Sequence, residues 1–255
     1  MDHSESEHLR FLDATCVTER LPFTVRIARS DEDLAKAVSI RHSAYSRHLP
    51  RLAYKLKEPE AYDQDPSCVV FLAESRLDGS PLGTIRVHSA RSGRLPLEQS
   101  VDLPQWLKSQ SRAEATRLGV IDAGVGRVVK HVLFKAYFSY CLLAGIDWLV
   151  IAARPPLDRQ YRSLLFHDLF EDHRPVPMHH AGGIAHHVLA FEVRTAEARW
   201  AEAQHPLYDF IVRTHHPDLA ISPPLDQHGE RAAQRPSEAY PGSAMRVSRP
   251  FRQAA

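Results

Sequence analysis

An acid and a base lie three residues apart in Ala113-Glu114-Ala115-Thr116-Arg117-Leu118-Gly119-Val120-Ile121, a short β-prone run. The run ends in Asp122-Ala123-Gly124-Val125-Gly126, and a strongly amphipathic segment follows at once. A strand, a Gly-x-Gly turn and a helix N-terminus together present backbone N–H groups to a phosphate or to a polarised carbonyl. Short Gly-x-Gly turns also simply end strands, so this signal takes its weight from its neighbours. Arg127 and Lys130 stand in the first turn of the helix, where the macrodipole disfavours cations. A bound anion would account for them; ordinary solvated charge is the alternative.

Other polar residues interrupt apolar patterns. Leu34, Val38, Arg41 and Tyr45 fall on one stripe at helical spacing, so Arg41 breaks an apolar face. A guanidinium there needs a carboxylate partner or a snorkelling stem, unless the stripe edge leaves it in solvent. In the strand 82–88, Ile85 and Val87 share one face while Arg86 and His88 take the other. The Pro-punctuated segment 50–67 carries Glu60, Asp63 and Asp65. Histidine pairs at 179–180, 186–187 and 215–216 invite a metal reading, but they lack the His-Glu-x-x-His spacing and a clear carboxylate ligand set. No metal site is expected; 178–187 can instead line an acceptor or acyl pocket.

The elements that must position these residues read as β-α-β-β-β-α-β-α-β, with one more strand near 174–180. Residues 23–28 alternate as a strand, and Ser30 caps a helix that runs to about His48. Strands 68–73 and 82–88 flank the Asp78-Gly79 turn as a hairpin. A connection over 90–112 holds a short helical piece near Gln105, and loops that long inside a compact domain are often functional. The helix from about Gly126 to Ala144 aligns Val129, Val132, Leu133, Ala136, Tyr137, Tyr140 and Leu143. Trp148 to Ala153 is apolar throughout, as a strand covered on both faces should be. Pro155-Pro156 opens a helix to about Phe166, and 188–193 is a strand. The expected fold class is α/β, a mixed, mostly antiparallel sheet with helices on both faces. The expected organisation is a polar leader over 1–22, a domain over 23–194, a helical extension over 195–222 and a disordered tail over 223–255.

Composition narrows the function classes. A formal net charge of +1 argues against wholesale nucleic-acid binding, which needs a basic stripe. The hydrophobic share of 44% and charged share of 25% are those of a globular protein, and no apolar run is long enough to span a bilayer. The three cysteines lie far apart, which suggests neither a disulfide framework nor a zinc knuckle and fits a cytoplasmic setting. Oligomeric state is not legible.

The order Arg41-x-x-x-Tyr45, Asp63 and Asp65 before a strand, Gly83-Thr84-Ile85-Arg86, then Glu114-x-x-Arg117-Leu118 resembles one branch of the GNAT acyltransferases. That branch holds the acyl-homoserine-lactone synthases and, more similar still, the N-acyl amino acid synthases and the exosortase-associated acyltransferases. The resemblance covers about residues 23–194. A lactone synthase is expected to have an aromatic residue after Arg117, where this chain has Leu118. The GNAT pyrophosphate loop has Arg or Gln three residues before its first glycine, where this chain has Ile121 before Gly124.

The resemblance implies an acyltransferase that moves a long acyl chain from the phosphopantetheine of acyl carrier protein to an amino acid's α-amine. Acyl-CoA is the less favoured donor, and no tightly bound cofactor is implied. Lactone synthesis, CoA-dependent acetyl transfer and a silent carrier-binding module are the alternatives. Thioester aminolysis needs a base for the ammonium, a polarised carbonyl and an acid for the thiolate. Glu114 is the implied base; its alternative role is to pair with Arg41, Arg86 or Arg117 and hold the fold. Arg41, Asp63, Asp65 and Arg86, with Arg117, Leu118 and Val120, are the implied amine-side and substrate positions. A bulge in the strand, as the family has, would re-aim one of Glu114 and Arg117 and free a backbone N–H. Tyr161, in Tyr-Arg-Ser-Leu-Leu-Phe, resembles a GNAT Tyr-x-x-x-Gly-Phe whose tyrosine protonates the thiolate, with Leu165 in place of glycine. Gly124, Gly126, Arg127 and Lys130 are the implied phosphopantetheine contacts. Arg91, Arg94 and Lys108 join Arg127 and Lys130 as basic residues that an acidic carrier could meet.

Overall fold

Ser30 opens the first long helix, as its sequence pattern requires. Its hydroxyl accepts the Asp33 N–H while Asp33 accepts back from the Ser30 backbone, which closes a capping box. The structure, a computed structural model, describes residues 16–222; the expected disordered tail and most of the expected leader lie outside the described residues. In chain order the elements are Val17–Thr18 (β1), Phe23–Ile27 (β2), Asp31–Ser46 (α1), Pro50–Lys55 (α2), Cys68–Ser75 (β3) and Pro81–Ser89 (β4). Next come Gln105–Lys108 (α3), Arg112–Val120 (β5), Gly126–Leu143 (α4), Trp148–Ala153 (β6) and Asp158–Ser163 (α5). His167–Asp168 (β7), Val176–Met178 (β8), Ile184–Glu192 (β9), Ala196–Glu202 (α6), Thr214–His215 (β10) and Leu219–Ala220 (β11) complete them.

The main sheet runs β11-β2-β3-β4-β5-β6-β9-β7, with β8 on β9. It is mixed: β5 pairs β6 and β2 pairs β11 in parallel, and its other pairs are antiparallel. Strand alternation divides the side chains between two faces. Phe23, Val25, Phe71, Ile85, Val87, Leu149, Ile151 and Phe191 meet Val129, Val132, Leu133, Ala136 and Tyr137 of α4 and Trp200 of α6. On the opposite face Val150 and Val188 pack with Leu95, Leu97, Leu103 and Leu107 from the long connection, and α1 lays Ala37 on Val70 and Leu72.

Two features of β5 shape everything that follows. It pairs with β6 only from Arg112/Trp148 to Ala115/Ile151, and beyond that point the strands part. Gly119 lets α1 approach closely: a Cβ there would lie 3.2 Å from Ala44 Cβ and 3.3 Å from Arg41 Cα.

Several expectations change. Val17–Thr18, inside the expected leader, pairs with β10, and Leu21 is buried with its N–H on Asp218. Residues 50–67 contain α2, begun by Pro50, and a 3-10 turn at Ala61–Asp63. The helix expected to reach Phe166 ends at Ser163, because Leu165 takes φ 70°. Leu143 on the α4 stripe is half exposed, in the helix's last turn. The extension expected to be helical also contains β10 and β11. Buried Lys135 of α4 ties it down, donating to the Phe210 and Thr214 carbonyls and to His216 Nδ1. Burial pulls this ammonium down to about 8.

Candidate active site

A bulge decides what the site contains. Residues three apart on a regular strand face opposite ways. In β5, Thr116 sits opposite Arg86 and Gly119 opposite Thr84, so Arg117 and Leu118 together oppose Ile85. Arg117 takes φ 56°, left-handed backbone that costs a non-glycine residue about 1–2 kcal/mol. The extra residue turns Arg117 to the face that Glu114 already occupies. Both reach the His179–Ala181 turn: Glu114 Oε1 lies 3.7 Å from His180 Nε2, and Arg117 Nη2 donates to the His180 carbonyl at 2.9 Å. Ala115 and Leu118 are left on the other face.

Arg41, Arg86 and Arg117 converge on two carboxylates. Arg41 grips Asp63 through both Nη atoms at 2.9 and 3.0 Å, and Arg86 Nη1 reaches Asp63 at 3.0 Å and Glu60 at 3.1 Å. Arg117 forks onto Glu60 at 2.7 and 2.6 Å. Burial pushes the Asp63 carboxyl up, but Arg41 and Arg86 outweigh it and hold it at about 2. Glu60 is likewise lowered, with burial outweighed by Arg117, Arg86 and Arg41. Three guanidiniums thus face two carboxylates, and one positive charge is in surplus.

Asp65 stands apart from this cluster. Its Oδ1 accepts from the Ser67 backbone and hydroxyl in a local turn. Glu60 fills the place the sequence suggested for it.

Glu114 is fully buried. Its Oε2 accepts the Leu97 N–H at 2.9 Å, and among the described residues its Oε1 has no hydrogen-bond partner. The three arginines are committed to Glu60 and Asp63, and within 4 Å its one charge-pair partner among the described residues is His180. Burial therefore dominates and pushes the carboxyl up to about 8. His180 is pulled down to about 4 by burial and by Arg117, and His88 to about 3 by burial and by Arg86. Arg86 Nε donates to His88 Nε2, which also meets Thr116 Oγ1 at 2.8 Å; His88 Nδ1 meets Cys68 Sγ at 3.0 Å.

Across the sheet lies an apolar cavity of about 510 Å³, beside the parting of β5 and β6. Leu118, Phe134, Tyr161, Leu164 and Leu207 line it, and Lys130 stands at its wall with Nζ on Gln160 Oε1. Tyr161 packs edge-on against Phe166 at 5.9 Å, and burial raises its phenol. Leu165 holds the left-handed backbone that a glycine would adopt there without strain. Gly126 is required by space: a Cβ there would lie 2.4 Å from the Ile121 carbonyl oxygen, whereas Gly124 is open. Val120 gives its carbonyl to Arg47.

The basic residues do not form one surface. Arg127 is exposed at the start of α4, while Arg91 donates to the Ala144 carbonyl at its far end, roughly 27 Å away for an 18-residue helix. Lys108 pairs with Asp102. Cys16, Cys68 and Cys141 are free, and among the described residues no helix is long and apolar enough to cross a membrane.

Sequence pattern does not single out Glu60, the Leu97 N–H or the cavity wall at 205–207. Glu60 is in plain view among the acids of 50–67. The other two come from connections, which carry no periodic signal.

The mixed sheet, whose parallel strands β5 and β6 part beyond Ala115 where β5 bulges, has the fold of the GNAT-type acyltransferases. The family model described as N-acyl amino acid synthase FeeM matches residues 36–188, and the chain belongs to that family. The solved structure of FeeM, an N-acyl amino acid synthase from uncultured soil microbes, is 19% identical and superposes with a TM-score of 0.58 over 74% of this chain and 96% of that one. The CoA-dependent acyl-homoserine lactone synthase BjaI is 16% identical, with a TM-score of 0.53 over 80% of this chain and 96% of its own. No curated protein sequence matches significantly.

Proposed function

We propose that this chain transfers a long acyl group from the phosphopantetheine thioester of acyl carrier protein to the α-amine of an amino acid. One observation carries the reading: the unpartnered, fully buried Glu114 Oε1 lies on the same face as an arginine cluster with one positive charge in surplus. An α-amino acid complements both, ammonium to Glu114 and carboxylate to the arginines.

Glu114 takes the ammonium proton, and the freed amine attacks the thioester carbonyl. The amide forms as the C–S bond breaks, and Tyr161 protonates the departing thiolate. A backbone N–H exposed by the bulge at Arg117 polarises the carbonyl. The acyl chain lies in the cavity of about 510 Å³ beside Leu118, and Gly124, Gly126, Arg127 and Lys130 meet the pantetheine arm at the head of α4. Arg127, exposed at that mouth, favours an acidic carrier as the donor. Residues 23–194 carry the catalytic groups, 205–207 of the extension complete the cavity wall, and the setting is cytoplasmic.

Mass spectrometry after incubating the full chain with dodecanoyl carrier protein or dodecanoyl-CoA and the common amino acids tests this. N-Dodecanoyl amino acids formed faster from the carrier are expected. Faster transfer from CoA would move the donor assignment, and acyl transfer to no amino acid would overturn the reading.

A further inference from the structure

The nitrogen of an amino acid enters as an ammonium with three protons and leaves in the amide with one. Two protons must depart: one before attack, to expose the lone pair, and one after, when the nitrogen of the tetrahedral adduct is again cationic. One ends on the leaving sulfur and one in water. A buried carboxylate accepts a single proton at a time.

We propose that His180 is the second proton acceptor for this nitrogen, an assignment that rests on the amine-transfer reading above. Its Nε2 stands 3.7 Å from Glu114 Oε1, too far for a hydrogen bond between them, and a nitrogen seated beside the pair meets both. The ring is free for such use. Among the described residues its Nδ1 has no partner and neither has Glu114 Oε1, although both atoms are buried. The backbone, by contrast, is tightly held: the His180 carbonyl accepts from Arg117, the His179 N–H donates to Ser100 Oγ, and Gly183 closes back on Met178. A turn anchored this firmly, carrying an unbonded imidazole toward an unbonded carboxylate oxygen, has the build of a chemical site rather than a structural one.

The charges around the ring suit the second proton. Glu114 and Arg117 face it from β5, Arg86 from β4, Glu60 from the turn before β3, and His186 from β9. Burial and the arginines keep the imidazole neutral near pH 7, so a lone pair is available. Glu114, pushed up to about 8 by burial, is a stronger base toward an ammonium than an ordinary carboxylate. The weakly basic His180 instead accepts from the far more acidic nitrogen of the adduct and yields its proton readily to water.

The test uses full-length His180→Ala, His180→Gln and Glu114→Gln with dodecanoyl-pantetheine and whichever amino acid the wild type acylates. His180→Ala should lose about 10²-fold in kcat with the thioester KM unchanged, and added imidazole should restore it but not Glu114→Gln. An aminooxy acid, whose nitrogen is neutral at pH 7, removes the need for the first deprotonation only. With it the Glu114→Gln loss should shrink while the His180→Ala loss persists. A folded His180→Ala with wild-type kcat, or one that imidazole leaves unrestored, overturns the proposal; if His180→Ala melts early, His180→Gln decides the question through kcat and the aminooxy acid. A wild type that acylates no amine is a different failure, of the reaction reading itself, and it is seen before any variant is made.

Discussion

The Leu97 N–H donates to Glu114 Oε2 at 2.9 Å, so the one hydrogen bond on the buried carboxylate among the described residues comes from a connection and not from the sheet. Residues 90–104 therefore do more than cover a face. They fix one oxygen of Glu114 and leave the other aimed at His180.

A pH-dependent stability follows from that burial. Glu114 titrates at about 8 when folded and near 4.5 when unfolded. Between those values the native protein holds a proton that the unfolded chain has lost, so this group makes stability fall as pH rises, by up to about 1.4 kcal/mol per unit. Glu114→Gln keeps an acceptor for Leu97 and removes the ionisation. Urea titrations at pH 5, 6.5 and 8 should show the variant gaining on wild type at each step; a constant difference would mean that Glu114 is not buried.

The ionic cluster predicts a contrast between two neighbouring acids. Asp63→Asn leaves Arg41 and Arg86 with Glu60 alone, and breaking a buried pair in this way costs about 3–5 kcal/mol. Asp65→Asn loses only a local turn to Ser67 and should stay within about 1 kcal/mol of wild type. Equal losses in thermal or chemical denaturation would contradict the assignment of Asp63, and not Asp65, to the cluster.

Local pattern made much of this legible. Alternation gave β2, the Asp-Gly hairpin signal gave β3 and β4, the capping signal gave α1, and Arg41 on an apolar stripe called for a carboxylate partner or a snorkelling stem, of which the structure has the carboxylate. The bulge was expected from resemblance alone, since nothing in Thr116-Arg117-Leu118 marks a left-handed residue. The meeting of Glu114 with His180 joins distant parts of the chain through a turn with no periodicity. The cavity wall at 205–207 lies beyond the matched residues 36–188 and depends on how Lys135, Arg199 and Trp200 dock the extension.

The surplus positive charge predicts acceptor selectivity. If the cluster receives the α-carboxylate, an amino acid should outperform its decarboxylated amine by about 10–100-fold in kcat/KM, the equivalent of one charge-assisted hydrogen bond of 1.5–3 kcal/mol. Steady-state kinetics with paired acceptors decides it, and equal use of the two would remove the carboxylate from this cluster.

Acyl length should be set in part by Leu207. It comes from the extension, stands at the cavity wall with Leu118, Phe134 and Leu164, and packs onto the main core. An indole there would occupy space that the distal end of an acyl chain needs, whereas Ala would lengthen the cavity at a cost in packing. Leu207→Trp should therefore shift products toward shorter chains and Leu207→Ala toward longer ones. The measurement is the product distribution by mass spectrometry from an equimolar mixture of thioesters of graded length. Leu77→Trp, at a position 94% exposed on the hairpin turn, is the control and should leave the distribution unchanged. If Leu207→Trp lowers the rate equally for every chain length, the cavity does not hold the distal acyl chain and its residues act on folding alone.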